Sequence, residues 1–272
     1  MTKPTLIIDS NCISWMAKQS MRKAGLDNKG TGIIYGFLRT TLSLANQFQT
    51  DKLIFAWDSK ESHRIDFWHD YKLRRRLEKK KDVPAIRQNY TIRKIVLPQM
   101  GFKNIFIQAG FEGDDVIAKV VKTCGLERMI VVTEDNDMYQ LLDKCMIYFP
   151  RRKHFMTRKD LKKKYNVGPE NWNLFKSLVG CHSDDVKGVM GIGPKTAAKL
   201  INKGTILEEH REIIDRNLQL VSLPCPLKPI NKIVINIKEV FKKKDFIDIC
   251  NKYNFRSLIK DKERWFRILN MT

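Results

Sequence analysis

The chain has 272 residues, enough for one large domain or two small ones with a true hydrophobic core. A hydrophobic content of 43% and an aromatic content of 10% exclude a disordered or fibrous chain. Its 51 Lys+Arg against 30 Asp+Glu leave a formal charge of +21, which points to a polyanionic partner. No apolar run approaches the roughly 20 residues of a membrane-spanning helix, so nucleic acid is the expected polyanion and a membrane is not.

In chain order, Leu6–Ile8 is a short apolar strand followed at once by Asp9, which is not the pattern of a secretory leader. A helix is expected over 10–23, then a second over 33–47 with an apolar stripe through Ile34, Phe37, Leu38 and Leu42. A strand over 52–57 ends in Asp58, and a third over 104–108 leads through Gly110 to Glu112. Glu112, Asp114 and Asp115 open a helix whose apolar face is Val116, Ile117, Val120 and Val121. A fourth strand, 129–133, leads into Glu134, Asp135 and Asp137, and a last one covers 145–149. Strands alternating with helices mark a parallel α/β sheet, in which ligands bind beyond the carboxyl ends of the strands. Asp9, Asp58, Glu112 and Asp135 all fall at that edge. Carboxylates so crowded repel one another unless a cation neutralises them, and hard oxygen ligands suit Mg²⁺ or Mn²⁺. For either acid group taken singly, helix N-terminal acids satisfying the dipole would be explanation enough.

Between the second and third strands, residues 59–98 are rich in Lys and Arg, including Arg64, Lys72, Arg74, Arg75, Arg76, Lys80 and Lys81, interleaved with Phe67, Trp68, Tyr71 and Tyr90. Cations beside aromatic faces grip single strands through backbone neutralisation and base stacking, although a basic run is more often a solvated helix face. Pro84 is expected to break this segment into two arms. After residue 149 the character turns helical: Thr157 and Asp160 have capping-box spacing, and a helix from about 170 ends near Gly180. Next, Gly188, Gly191 and Gly193 form a glycine-rich turn opening a helix at Pro194, with Lys195 and Thr196 in its first turn, a site suited to a DNA phosphate. Residues 206–272 read as amphipathic helices with a basic stretch at 238–244. Six cysteines are scattered without CxxC pairs, so reduced thiols in a cytoplasmic setting are expected.

The motifs LIIDSN at Asp9, GIIYGFL, FAWD at Asp58, YKLRR at 71–75, FEGDDVIA at 111–118, TEDNDMYQLL at 133–142 and GVMGIGPKTAAKLI at 188–201 occur in one order. Over residues 5–205 or so the chain resembles the structure-specific 5′ nucleases, or flap endonucleases, which include phage-encoded 5′→3′ exonucleases and the 5′-nuclease domain of bacterial DNA polymerase I. The resemblance implies a PIN-like parallel sheet flanked by helices with a helical arch insertion (59–98), in an α/β nuclease core over 1–150. It further implies a helical DNA-binding region over 151–272, with a helix-hairpin (helix-three-turn-helix) motif at about 170–203. In that reading Asp9, Asp58, Glu112, Asp114 and Asp115 hold one divalent ion, while Asp135, Asp137, Asp184 and Asp185 serve a second. Lys72 and Arg75 match the catalytic basic residues of the arch, and Arg64, Tyr71, Arg74 and Arg76 join them on DNA. Gly188, Gly191, Gly193, Lys195 and Thr196 match the hairpin that holds duplex DNA, with a K⁺ ion at its turn. The expected enzyme is a monomeric two-metal phosphodiesterase acting on 5′ flaps, nicks and 5′ single strands on duplexes, with RNA/DNA hybrids an open alternative. Primer or flap removal in replication, in a host cytoplasm if phage-encoded, is its expected role. The alternative is a branched-DNA-binding relative with weakened catalysis. One position departs from the pattern: Cys181 stands where the family usually has Asp, and Asp185 where Asn is common. Either Asp185 is expected to compensate in part, or the second ion site to bind metal more weakly and prefer Mn²⁺, the alternative being that Cys181 packs as a small buried hydrophobe.

Overall fold

The computed structural model describes residues 2–23, 30–79, 82–205, 208–237 and 240–269. A six-stranded sheet forms its centre. Strand β1 (Thr5–Asp9) leads into α1 (Ser10–Lys23) and α2 (Gly32–Gln47), then β2 (Leu53–Ala56). The basic segment follows as α3 (His63–Phe67), α4 (Leu73–Lys79) and α5 (Val83–Thr91), the last running through a π turn (Ile92–Val96) into α6 (Leu97–Gln99). Pro84 lies in the first turn of α5, so the break into two arms falls just before it, where the ring needs no donated hydrogen bond. Lys80 and Lys81, and residues 238–239 of the basic stretch at 238–244, lie outside the described residues.

The sheet resumes with β3 (Ile105–Phe106), crosses by α7 (Gly113–Thr123) to β4 (Met129–Val132), and passes a 3₁₀ turn (Asn136–Leu141) to β5 (Met146–Phe149). Where the sequence suggested that strands end with β5, a further edge strand β6 (His154–Met156) turns back antiparallel on it. Strand order is β3-β2-β1-β4-β5-β6, with the first five parallel. The chain lays strands to one side of β1 and then returns to the other, so the order reverses between β1 and β4, the switch point where α/β sheets bind ligands.

The helical remainder comprises α8 (Arg158–Tyr165), α9 (Trp172–Val179), a two-stranded ribbon of β7 (Gly180–Cys181) and β8 (Val186–Lys187), α10 (Pro194–Lys203), α11 (Arg211–Val221), α12 (Lys243–Lys252), α13 (Arg256–Lys260) and α14 (Lys262–Leu269). Thr157 caps α8 as its spacing predicted, exchanging hydrogen bonds with Asp160. The period of two in β1 divides the core: Leu6 and Ile8 face α1, α2 and the C-terminal helices, whereas Ile7 faces α7 and the α8–α11 region. Phe246, Trp265 and Phe266 thus share one core with α2 and β2, so the chain's end closes over the sheet's first face. The expected α/β class, a mainly parallel sheet flanked by helices with a helical region after it, is what the chain adopts. No described helix is long and apolar enough to cross a membrane.

Candidate active site

Each acid is placed by the turn that ends its strand. Asp9 closes β1, and its two oxygens accept from the Cys12 amide at 2.9 Å and from Thr133 Oγ1 at 2.7 Å. Thr133 in turn accepts from the Asp135 amide at 3.0 Å, so this hydroxyl spans the switch point and ties the end of β1 to the end of β4. Asp58, after β2, accepts from the Gly113 amide at 2.9 Å and from Asn11 Nδ2 at 2.8 Å. Asn11 Oδ1 closes a reciprocal pair by accepting from the Asp58 amide at 3.1 Å. Asp135 holds the 3₁₀ turn by accepting from the Asp137 amide at 2.8 Å. Sequence reading does not single out Asn11 or Thr133; each lies in a string that carries an acid, DSN or TED, but bonds an acid far away in the chain, Asp58 for Asn11 and Asp9 for Thr133.

Burial pushes the Asp9 carboxyl up to about 7, with Asp58 and Asp135 adding repulsion. It pushes Asp137 up to about 6, again with Asp135 close by, and it drives Asp114 well above the usual carboxylate range with help from Asp135 and Asp9. Such mutual repulsion is what a bound cation relieves. Asp9, Asp114, Asp135 and Asp137 offer oxygen donors alone, so the residues fit a hard divalent ion. Asp137, Asp184 and Cys181 also offer donor atoms that all lie within 4.8 Å of one another, a spacing compatible with a shared ion.

These shifts set the sign of a stability test. Asp9 and Asp137 keep protons in the folded protein at pH values where unfolded Asp, with a pKa of about 4, has lost them. The native state therefore binds more protons between roughly pH 4 and 7, and stability falls as pH rises through that window. Glu112 has the opposite sign: burial opposes its ionisation, but Lys72 and Arg64 hold it at about 2. Its contribution is present above the unfolded value and is lost as pH falls towards 2. Melting of the EDTA-treated protein is expected to give a lower Tm at about pH 7.5 than at about pH 5.5, with added Mg²⁺ or Mn²⁺ raising the former. A metal-free Tm that climbs across this range would mean that the acids do not repel.

The arch delivers the expected cations. Lys72 Nζ donates to Glu112 Oε2 at 2.6 Å and lies 3.8 Å from Asp184 Oδ1, and Arg75 Nη1 is 3.3 Å from the same Asp184 oxygen. Lys72 holds a left-handed backbone (φ 53°), and its amide donates to the Asp184 carbonyl at 2.8 Å. The arch base is thereby stitched to the hairpin region.

Several residues do something other than their sequence context suggested. Arg64, expected on DNA, is buried and forms a bidentate pair with Asp115 at 2.6 and 2.8 Å. Asp115, expected on the first ion, spends its remaining capacity on the amides of Cys225 at 2.6 Å and Glu112 at 3.1 Å. Tyr71 is no stacking face: it is 3% exposed and donates to Glu112 Oε2 at 3.1 Å. Asp185 takes Arg74 Nε at 2.6 Å and the Arg74 amide at 3.2 Å, so this pair joins α4 to the hairpin. Arg76 bonds the His69 carbonyl. Glu134 turns to the Arg151 amide at 2.8 Å, away from Asp135. Of the aromatics, Phe67 and Tyr90 are exposed, and Trp68 lies under the Arg216 guanidinium at 4.5 Å.

In the hairpin, Lys195 and Thr196 are exposed at the start of α10, and Gly191 takes φ 79°, a turn conformation that favours glycine. Gly188 has a packing reason instead: an added Cβ would lie 2.4 Å from the Val179 carbonyl carbon. Beyond the expected set, Lys176 near the end of α9 sends Nζ to within 2.8 Å of Asp137 Oδ1 and 3.4 Å of Cys181 Sγ. Half-exposed Trp15 carries the Arg151 guanidinium 4.4 Å above its ring.

Comparison with known proteins identifies the family and the fold. The model of the 5′-3′ exonuclease N-terminal, resolvase-like domain matches residues 4–166. The thermostable DNA polymerase I of Thermus thermophilus is 34% identical over 187 residues, 67% of this chain and 22% of that protein. DNA polymerase I of Caldicellulosiruptor bescii is 27% identical over 289 aligned positions, 94% of this chain and 33% of that one. The chain thus spans between about a fifth and a third of these relatives. Among solved structures, the bacteriophage T5 5′-exonuclease with bound zinc superposes with a TM-score of 0.68 at 20% identity, covering 98% of this chain and 100% of that one. Flap endonuclease-1 from Methanococcus jannaschii gives 0.62 at 15% identity, covering 98% and 93%.

Proposed function

The chain belongs to the 5′-3′ exonuclease family, and from that premise we propose that it is a divalent-metal-dependent 5′ nuclease that hydrolyses phosphodiesters near 5′ ends and single-strand/duplex junctions. The observation that carries this reading is the meeting of two opposite charge sets. Asp9, Asp58, Glu112, Asp114, Asp135 and Asp137 follow the carboxyl ends of the sheet strands, and an otherwise strongly basic chain lays Lys72 on Glu112 and Asp184 and Arg75 on Asp184 beside them.

Mg²⁺ or Mn²⁺ would be held by Asp9, Asp58, Glu112 and Asp114 on one side and by Asp135, Asp137 and Asp184 on the other. Two such ions supply a strongly polarised attacking water and charge neutralisation at the leaving oxygen. Lys72 and Arg75 bind the phosphate next to the bond to be cut. Their present carboxylate partners are anions of similar reach, so a phosphate oxygen exchanges for a carboxylate oxygen without stripping either cation of a partner. Lys72, held by its backbone bond to Asp184, positions the phosphate relative to the acids. Arg64, Tyr71 and Asp115 fix the arch base and Glu112 from behind, so a substrate meets a preformed surface.

The hairpin turn at 188–193 and the start of α10 hold duplex backbone through amides, Lys195 and Thr196, with a K⁺ ion on turn carbonyls. We further propose that the enzyme acts as a monomer on 5′ flaps, nicks and duplexes bearing a 5′ single strand, including primer-derived RNA/DNA hybrids, during replication. Lys195→Ala is expected to weaken duplex binding in Ca²⁺ and to lower the salt slope of log Kd by about one, while cleavage at saturating enzyme changes little. If saturated cleavage falls as far as binding, the hairpin assignment is wrong.

A 5′-labelled flap duplex incubated with Mg²⁺, Mn²⁺ or EDTA tests the whole reading. Metal-dependent cutting near the junction is the expected result. Tight binding in Ca²⁺ with no cutting in any metal would instead make the chain a branched-DNA-binding protein.

A further inference from the structure

Cys181 has a place in the site that hydrophobic packing alone does not explain. It ends β7, where pairing with Val186 across the ribbon turns its side chain inward to 5% exposure. One side of it touches the apolar cluster of Tyr71, Val186, Leu220 and Val221. Sγ itself, however, has three polar neighbours: Ser183 Oγ at 3.1 Å, Asp184 Oδ2 at 3.3 Å and Lys176 Nζ at 3.4 Å. The ammonium of Lys176 stands among the same donors, 2.8 Å from Asp137 Oδ1, on a flexible side chain that reaches solvent. The ammonium occupies the place of a counter-cation.

We propose that the second cation position in this chain is a mixed oxygen–sulfur site, in which Cys181 binds the ion as a thiolate beside Asp137 and Asp184 and selects a borderline transition-metal ion over Mg²⁺. The inference rests on the nuclease reading for the role of this position and goes beyond it in ligand and ion. Thiolate is a soft donor, so affinity follows the later first-row metals, whereas Mg²⁺ gains almost nothing from sulfur. Binding exchanges one cation for another. The ion displaces Lys176, which swings outward still protonated; the Cys181 S–H bond breaks, its proton passes to the buffer, and a metal–sulfur bond forms. No electron is transferred.

Co²⁺ titrated into reduced, EDTA-stripped protein reads this directly through the sulfur-to-cobalt charge-transfer band in the near ultraviolet and through proton release in weak buffer. Wild type is expected to show the band and to release one thiol proton per ion bound at this position. Cys181→Ser and Cys181→Ala are each expected to lose the band and to weaken Co²⁺ binding there by at least about tenfold. Cys181→Asp is expected to lose the band while gaining Mg²⁺ competition, and Lys176→Met to keep the band and bind Co²⁺ more tightly. Absence of the band in wild type, or an equal band in natively melting Cys181→Ser, overturns the proposal. Flap cleavage that persists without any band overturns this inference alone; a band with no cleavage in any metal overturns the nuclease reading and leaves the sulfur site standing.

Discussion

Asp135→Asn is expected to reduce single-turnover cleavage of a 5′ flap by about a thousandfold or more while leaving binding in Ca²⁺ near wild type. Asp135 is the acid that both groups share: its charge raises Asp9 and Asp114 on one side and Asp137 on the other. Two ions held by the two groups would both draw on this carboxylate. Asn is nearly isosteric, and its Oδ1 can still accept the Asp137 amide that orders the 3₁₀ turn. The fold is thus spared and the loss is one of charge. Losing several kcal/mol of electrostatic stabilisation at the reacting phosphate corresponds to three or more powers of ten in rate, at 1.36 kcal/mol for each tenfold. In the proposed reading DNA affinity would draw instead on the arch and hairpin cations, which the substitution does not touch. The same change also relieves repulsion on Asp9 and Asp137, so the metal-free variant is expected to melt above metal-free wild type near pH 7.5. Wild-type cutting by Asp135→Asn would remove this residue from the site altogether.

The path from sequence to site was readable where local rules act. Apolar runs ending in acids gave strands β1 to β4 and put Asp9, Asp58, Glu112 and Asp135 at one edge, because a parallel sheet aligns its carboxyl ends. The capping pair at Thr157 and Asp160, and the Gly-Pro start of α10, were legible for the same reason: one turn of chain decides them. Strand β6 escaped because three residues after an Arg-Arg-Lys turn carry no period of their own, and only the edge of β5 makes them a strand. The roles of Arg64, Asp115 and Lys176 escaped for a different reason. A sequence reports charge but not partner, and Arg64 finds Asp115 51 positions away. Glu112 and Asp115 illustrate how fine the distinction is. They stand three residues apart at one helix start, yet one faces Lys72 and the other turns back onto the Glu112 amide and into the core.

Arg64→Met should cost about 3–5 kcal/mol of folding stability, the usual penalty for stranding one member of a buried ion pair. Asp115 is fully buried and both its oxygens face the guanidinium, so without Arg64 it loses its counter-ion in the core. The loss spreads further, because Arg64 also donates to the carbonyls of Leu220 at 2.7 Å and Ser222 at 3.0 Å, where α11 ends. Three separate pieces of chain meet on this one side chain: the arch base, the start of α7 and the segment after α11. Urea denaturation should therefore show a lower midpoint, and Arg64→Met with Asp115→Leu should recover only part of the loss, since the Cys225 amide loses its acceptor in the double variant. A surface DNA contact would behave otherwise: stability unchanged, binding weaker and the salt slope smaller. If Arg64→Met shows that second pattern, the buried pair is not what holds the arch to the sheet. If it shows the first, the arch's basic character divides in two, with Lys72 and Arg75 turned to Glu112 and Asp184 and Arg64 turned inward to hold the arch base to the sheet.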